Sequence, residues 1–369
     1  MAMAGQLEDS EMIVHIGPQH PSLPGPFMLD LKLKGEVVQD AYLNMGYIHK
    51  GIEKLLENRT YLQCIPITDR MCYLSSLSNN EVFCSCVERL LGVEPPERAQ
   101  YIRVLVQELS RIQSHLIGMG EFAEFIGFMS MFMFLVRERE SIITLIEMIT
   151  GARLTHTYGR FGGVRHDLPD GFVDRARKLL PAFEKKMREN VDTLESDEVY
   201  LERTEGVGKV SPEVAKQVGV TGPVLRASGI EYDIRRVEPT LVYPDLDFKV
   251  ITDKRGDVFA RVHCRFEEIF ESLHIIDQCL DQMPAGEVRA KLPKTIKPEG
   301  EAYCRVEDPR GEMAMYVVGD GSPKPYRVKV RDPSYANLQA LPPVLRGVYV
   351  ADVVAIAGSM DTCISGVDR

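Results

Sequence analysis

The sequence predicts an α+β protein that is mainly α, a helical bundle with small antiparallel β elements attached at each end. Three observations carry that expectation. Apolar residues recur at three- and four-residue spacing through much of 51–149. Two-residue alternation marks 27–34, and short apolar runs between glycine and proline turns recur near both ends. A chain of 369 residues, 44% hydrophobic and 27% charged, can bury a large core and has an ordinary globular composition.

That composition also removes classes of function. With 44 basic against 54 acidic residues the net charge is −10, the wrong sign for a nucleic-acid footprint. No stretch reaches the roughly 18 to 20 apolar residues of a membrane span. The longest candidate, 126–136, is too short, so the chain is not expected to cross a bilayer by itself. Residues 1–10 lack the charged and apolar regions of an export signal, which makes a cytoplasmic home the default. The eight cysteines are then read as reduced thiols. Cys84 and Cys86 have no second pair at zinc-type spacing, so they read as buried small hydrophobes rather than part of a four-thiolate zinc or iron–sulfur site.

Taken in order, 11–50 read as β structure. Strands at 12–16, 27–34 and 37–43 are separated by a proline-rich loop and by Gly35-Glu36. The loop, 17–26, packs four prolines and two glycines into ten residues and carries His20. Such a loop is stiff enough to hold a side chain at a cavity edge, and equally serves as a plain turn with a solvated histidine. Pro95-Pro96-Glu97 opens a helix whose apolar face runs through Ile102, Leu105, Leu109, Ile112 and Leu116. Gly118 and Gly120 are expected to interrupt it, with a second helix over about 121–149. The first half of that helix is crowded with Phe and Met, which predicts burial in the bundle or the lining of an apolar cavity. Glu121 and Glu124 stand out there, because a carboxyl beside buried aromatics must pair or stay protonated. Residues 137–140 alternate in sign and read as a solvated helix turn.

The Gly-, Arg-, His- and Tyr-rich stretch 151–163 reads as a functional loop, yet it matches no dinucleotide fingerprint, and 206–210 is no phosphate-binding loop. An amphipathic helix is expected over 171–194, an irregular segment over 196–260 with polar concentrations at 226–229 and 233–236, and a last long helix over 261–283. Beyond a proline- and lysine-rich linker come strands at 303–306, 313–318 and 326–330, then an apolar helix at 348–358. The division expected is an N-terminal β region over 1–50, a helical core over 51–284, and a β-hairpin region with a returning helix over 285–369.

Two short pieces carry chemistry. Ile67-Thr-Asp-Arg-Met-Cys-Tyr-Leu-Ser-Ser-Leu77 sets Arg70, Cys72 and Tyr73 together, and Asp361-Thr-Cys363 supplies a counterpart near the far end. The two are expected to meet in space and mark the site.

Arg70-Met-Cys-Tyr-Leu-Ser75 resembles the Arg-x-Cys-x-x-Cys motif of nickel–iron hydrogenase large subunits, and Asp361-Thr-Cys363-Ile-Ser-Gly366 resembles their C-terminal Asp-Pro-Cys-x-x-Cys. Only Cys72 and Cys363 stand at cysteine positions; Ser75 and Gly366 occupy the other two, so the metal site looks vacated. Nearly the whole chain is similar to the 49-kDa, or D-type, component of respiratory complex I, a hydrogenase-derived family without nickel. The likeness rests on Gly17-Pro-Gln-His-Pro21, His49-Lys-Gly51, Asp69-Arg70, Arg98-Ala-Gln-Tyr-Ile-Arg103, Gly151-Ala-Arg153, Gly162-Gly-Val164, Asp167-Leu-Pro169, Asp320-Gly-Ser322 and Val367-Asp-Arg369. The short form and the 17–26 loop look most like the archaeal version, in the membrane-bound dehydrogenase of coenzyme F-420 that reduces methanophenazine or menaquinone.

The resemblance implies a nickel–iron hydrogenase large-subunit-like bundle. It implies a peripheral protein on the cytoplasmic face of the membrane, with neighbours of the B, C, I and membrane H type and no cofactor of its own. A 4Fe–4S cluster would lie in the adjacent B-type neighbour, and the acceptor would be a quinone or methanophenazine. Tyr73 matches the tyrosine that hydrogen-bonds the acceptor head group and supplies the catalytic proton. His20, Pro24, Glu124 and Met133 complete the acceptor site implied. Pro24 stands where the family has a second histidine, and Phe125 where it has an aspartate, with Glu124 one residue earlier. Arg70, Lys50 and Arg153 match positions near the cluster, Lys50 in place of the family's usual arginine, and His156 stands next to Thr155, where the family has its cluster-linked histidine. Cys72, Ser75, Cys363 and Gly366 are the vestigial metal positions implied. The expected function is that of a catalytic-core component in an ion-pumping oxidoreductase. A hydrogenase large subunit with a variant metal site and a structural adaptor are the alternatives.

Overall fold

In Met28–Lys34 the alternation puts Leu29, Leu31 and Leu33 on one face, and all three are buried. This strand pairs antiparallel with Glu11–Ile16 on one side and Val37–Asn44 on the other, with Val14 opposite Leu31 and Leu31 opposite Ala41. The computed structural model describes residues 10–369, so most of the stretch expected to lack an export signal lies outside the described residues. The proline-rich loop leaves the first strand at Gly17, where φ is 101° and an added Cβ would lie 2.2 Å from the Phe27 carbonyl oxygen.

The bundle is built around Glu97–Phe125, which starts after Pro95 and Pro96 and buries Leu105, Leu109, Ile112 and Leu116. Against it pack Ser76–Leu91, Met129–Thr150 and Val258–Gln282, and Phe172–Glu195 packs on both Met129–Thr150 and Val258–Gln282. The architecture is α+β and mainly α, as the periodicity predicts.

Several boundaries differ from expectation. The central helix does not stop at Gly118 and Gly120. Those glycines are sites of close approach: a Cβ on Gly118 would lie 2.5 Å from Asp361 Oδ1, and one on Gly120 3.2 Å from the Phe132 ring. The break falls at Ile126–Phe128, where Gly127 has φ 92°. The Phe- and Met-rich run is not buried all round either. Phe122, Met131 and Leu135 are buried, but Met133 is 57% exposed and Met129 and Phe134 are exposed too. One face meets the central helix and the other meets solvent. Nor is 137–140 simply a solvated turn, since Glu138 is buried and paired with Arg137 at 2.7 Å and Lys186 at 3.7 Å.

The segment 196–260 holds the short helices Glu198–Thr204, Pro212–Val218, Pro223–Arg226 and Ile234–Val237. Its charges go inward. Arg226 pairs with Glu268 at 2.8 Å and Glu307 at 2.7 Å, and Arg235 with Glu108 at 3.2 Å, all of them buried. Glu108 also accepts from Tyr243 at 2.6 Å and Ser272 at 2.7 Å, so the irregular chain is tied across the bundle by satisfied buried ions.

The C-terminal strands are longer than the pattern suggests: Glu299–Asp308, Gly311–Asp320 and Pro325–Arg331 form an antiparallel sheet in that order. It packs on Ser76–Leu91 through Cys84, Cys86, Met313 and Met315. The expected 348–358 helix is split into a 3-10 turn, Val350–Asp352, and Val353–Ser359, followed by Ile364–Asp368. No helix of the described residues is long and apolar enough to cross a membrane.

If Gly118 is the seat of the Asp361 carboxyl, Gly118→Ala must displace it. Overpacking of this kind costs about 1–3 kcal/mol, so a lower urea midpoint with an unchanged denaturant slope is expected.

Candidate functional site

The two chemical motifs meet. Helix Tyr61–Thr68 ends in a tight turn that carries Arg70 outward and Cys72 inward, and the 3-10 turn Tyr73–Ser75 then feeds the next helix. From the other end, Asp361 adopts φ 49° and Cys363 caps Ile364–Asp368. Cys72 and Cys363 are both buried and hydrogen-bond through their thiols. That bond, and the Arg310 guanidinium 3.7 Å from the Cys72 sulfur, pull the Cys72 thiol down.

Arg310 is the centre of this arrangement, and the sequence reading missed it. It sits in the turn Asp308-Pro-Arg-Gly311 between two C-terminal strands, buried, and donates to Asp361 Oδ1 at 3.0 Å and Ser114 Oγ at 2.9 Å. Its peptide N–H donates to Asp308 at 3.1 Å. Arg265 approaches the other Asp361 oxygen at 3.6 Å and donates to the Ser359 and Met360 carbonyls. A basic residue in a strand turn opened by Asp-Pro was the only local signal.

Two positions of these motifs, 75 and 366, exclude a four-sulfur metal centre. Ser75 is a buried hydroxyl, and a Cβ on Gly366 would lie 2.0 Å from Asp332 Oδ2. Asp332 caps Pro333–Leu338, and burial together with the Asp308 carboxylate pushes its own carboxyl up to about 6. The space of a fourth ligand is filled by a carboxyl, and a guanidinium stands beside Cys72. The residues present do not fit a four-thiolate nickel–iron group.

Against this buried cluster lies a cavity of about 300 Å³, walled by the proline-rich loop, the central helix, the Tyr73 turn and the C-terminal segment. Tyr73, Glu121, Glu124, Phe125, Pro24, Arg310 and Cys363 all line it. Tyr73 is 45% exposed, yet desolvation on the cavity wall, with Cys363 and Glu121 nearby, pushes its phenol up to about 12, so it keeps its proton at neutral pH. Glu124 is exposed at the edge. His20 is also exposed, its Nδ1 accepting from the Ser22 N–H at 3.2 Å, and it is not a lining residue; neither is Met133.

The residues matched to cluster-proximal positions lie behind and beside the cavity. Arg70 is half-exposed and donates to the Pro66 carbonyl at 2.7 Å. Lys50 Nζ donates to Ser365 Oγ at 2.7 Å and the Arg70 carbonyl at 3.1 Å, bridging the two motifs. Asp368 and Arg369 receive the 46–51 backbone, the Gly46 and Ile48 N–H groups binding the Asp368 carboxylate at 2.8 and 2.9 Å. Arg153 is exposed and paired with Glu140 and Glu147. His156 is buried, with Nδ1 2.7 Å from Ser76 Oγ, and burial plus the Arg139 charge push it down to about 4, so it is neutral.

Fold and site together define a mainly helical protein in which a guanidinium and carboxyls pack around two buried thiols beside a cavity. The family model described as "Respiratory-chain NADH dehydrogenase, 49 Kd subunit" matches residues 126–299 and 293–369. The D-type component of the F(420)H(2) dehydrogenase of Methanosarcina mazei is 59% identical over 374 residues, covering all of both chains. Its counterpart in the NADH-quinone oxidoreductase of Geobacillus thermodenitrificans is 46% identical, covering 98% of this chain and all of that one. The second such chain of the Rhizobium etli NADH-quinone oxidoreductase is 45% identical, covering 98% of this chain and 96% of its own. The chain belongs to the 49-kDa family of the respiratory-chain NADH dehydrogenase.

Removing the central cation would strand two carboxylates. Arg310→Met leaves Asp361 and Asp308 buried without their main counter-charge, and breaking a buried pair in this way costs about 3–5 kcal/mol. Chemical denaturation of the variant is expected to show a loss of that size.

Proposed function

We propose that this chain forms one wall of the chamber in which a lipid-soluble acceptor, a quinone or methanophenazine, is reduced within a complex I-like, ion-pumping membrane oxidoreductase. The single observation that carries the reading is a phenol that keeps its proton, Tyr73, on the wall of a cavity beside a buried cation. A reduced carbonyl or ring nitrogen needs a proton where charge develops, and a positioned phenol can give it. Electrons would come from a 4Fe–4S cluster in a B-type neighbour, with neighbours of the C, I and membrane H type completing the assembly on the cytoplasmic face. The chain binds no cofactor of its own in this reading. Segment 1–50 supplies the acceptor-site loop, 51–284 the framework and 285–369 the returning wall.

Support for the partner arrangement comes from Arg70 and Lys50, which present cationic groups on the outer side of the Cys72 turn. Cations there stabilise a reduced, more negative cluster across an interface. Pro24 leaves the loop without a second head-group donor, and His20 points to solvent. With no histidine on the wall, the donor set differs from the one the resemblance implies for a quinone, and a phenazine, whose ring nitrogens replace quinone carbonyls, asks for different donors.

Tyr73→Phe in the assembled complex is expected to slow acceptor reduction about 100-fold, the lower end of what a positioned proton donor contributes. Reduction of a water-soluble dye upstream of the chamber should persist. Full acceptor reduction in that variant would favour the structural-adaptor reading. Turnover with methanophenazine is expected to exceed turnover with ubiquinone in the same preparation, and equal rates would remove the phenazine preference.

A further inference from the structure

The cavity holds a second protonatable group, and the chamber reading above leaves it without a task. Glu121 lies one helical turn before Phe125 on the central helix, so both side chains share a face, and both line the cavity. Its neighbours in the cluster are paired: Asp361 accepts from Arg310 at 3.0 Å and is approached by Arg265 at 3.6 Å, and Asp308 accepts from the Arg310 N–H at 3.1 Å. Glu121 differs, because among the described residues its carboxyl has no hydrogen bond or ion pair. An unpaired acid on a desolvated cavity wall is costly to keep as a carboxylate.

We propose that Glu121 is a proton source of this cavity, supplying a proton to the acceptor as it is reduced beside Tyr73. The assignment rests on the chamber reading and deepens it. Groups from every surrounding element face Glu121. They are Asp361 of the C-terminal segment, Arg310 of the strand turn, Glu124 of its own helix, Arg139 of Met129–Thr150 and Tyr73 of the 3-10 turn. Burial, then Asp361, push the Glu121 carboxyl up to about 7, against the pull of Arg310 and Arg139. The group is therefore divided between acid and base near neutral pH, where a general acid is most useful.

The step balances. Two-electron reduction takes two electrons, delivered singly from the neighbour's iron–sulfur cluster, and two protons. One O–H bond of Glu121 breaks and one O–H or N–H bond on the acceptor forms, and the second proton leaves the Tyr73 phenol. The new Glu121 carboxylate is countered by Arg310. Glu124, three residues further along the helix and exposed, marks the end from which water returns both protons.

The experiment measures acceptor reduction against pH in the assembled complex carrying Glu121→Gln, Glu121→Asp or Tyr73→Phe, with dye reduction confirming assembly in each. Wild-type kcat is expected to fall as pH rises through about 7, where Glu121 loses its proton. Glu121→Gln should lower kcat about 10- to 100-fold and abolish that inflection, with little change in acceptor KM. Glu121→Asp, which keeps a carboxyl, should retain the inflection and recover part of the rate. A wild-type rate and pH profile in Glu121→Gln, with Tyr73→Phe impaired, overturns the proton-source assignment alone. Wild-type behaviour in both Glu121→Gln and Tyr73→Phe overturns the chamber reading and this assignment with it. Should Glu121→Gln fail to assemble, Glu121→Asp decides: loss of the inflection there overturns the assignment.

Discussion

The Arg310–Asp361 ion pair is the constraint on which the arrangement turns. Its members come from a strand turn in the C-terminal sheet and from the segment after the Val353–Ser359 helix. The pair is closed in by Ser114 of the central helix and Cys72 of the first motif. Four parts of the chain that are remote in sequence therefore meet at one guanidinium. A charge with that many fixed partners in a desolvated interior sets their positions more narrowly than apolar packing can. Asp361, at φ 49°, is held by Arg310 at one carboxyl oxygen with Arg265 3.6 Å from the other, and Gly118 has no side chain where that carboxyl lies.

The same pair organises the electrostatics of the cavity. Its cation lies close enough to stabilise a negative charge created on the wall, and its carboxylate discourages a second one at rest. Polar groups of the cavity face this fixed dipole, while Phe125 and the prolines of the 17–26 loop supply apolar surface. Such a container suits the flat, weakly polar acceptor proposed for it. Behind it the Glu108, Arg226, Arg235 and Glu268 network joins the irregular segment to the long helices, so the wall rests on a rigid back.

Much of this was legible in the sequence because it is local. Two-residue alternation placed Leu29, Leu31 and Leu33, the Pro-Pro-Glu start and spaced Leu and Ile residues placed the central helix, and the two short motifs gave away that Cys72 and Cys363 would meet. What was not legible depends on partners far along the chain. Gly118 reads as a helix breaker unless one knows that Asp361 needs its space. Arg226 and Arg235 read only as polar concentrations in an irregular segment, since Glu268, Glu307 and Glu108 are distant in sequence. The apolar run around Met133 has too little periodicity to reveal its open face. Arg310 lay in a two-strand turn, where a cation ordinarily points to solvent.

The contact between Gly366 and Asp332 sets a limit on redesign. A thiol placed at position 366 would collide with the carboxyl, and trimming the carboxyl first would uncap the Pro333–Leu338 helix and open a void. Neither change is tolerable without the other, so a third sulfur could enter this corner only by paired substitution. Crowding by protein atoms, not the absence of nearby thiols, is what closes the corner to a metal.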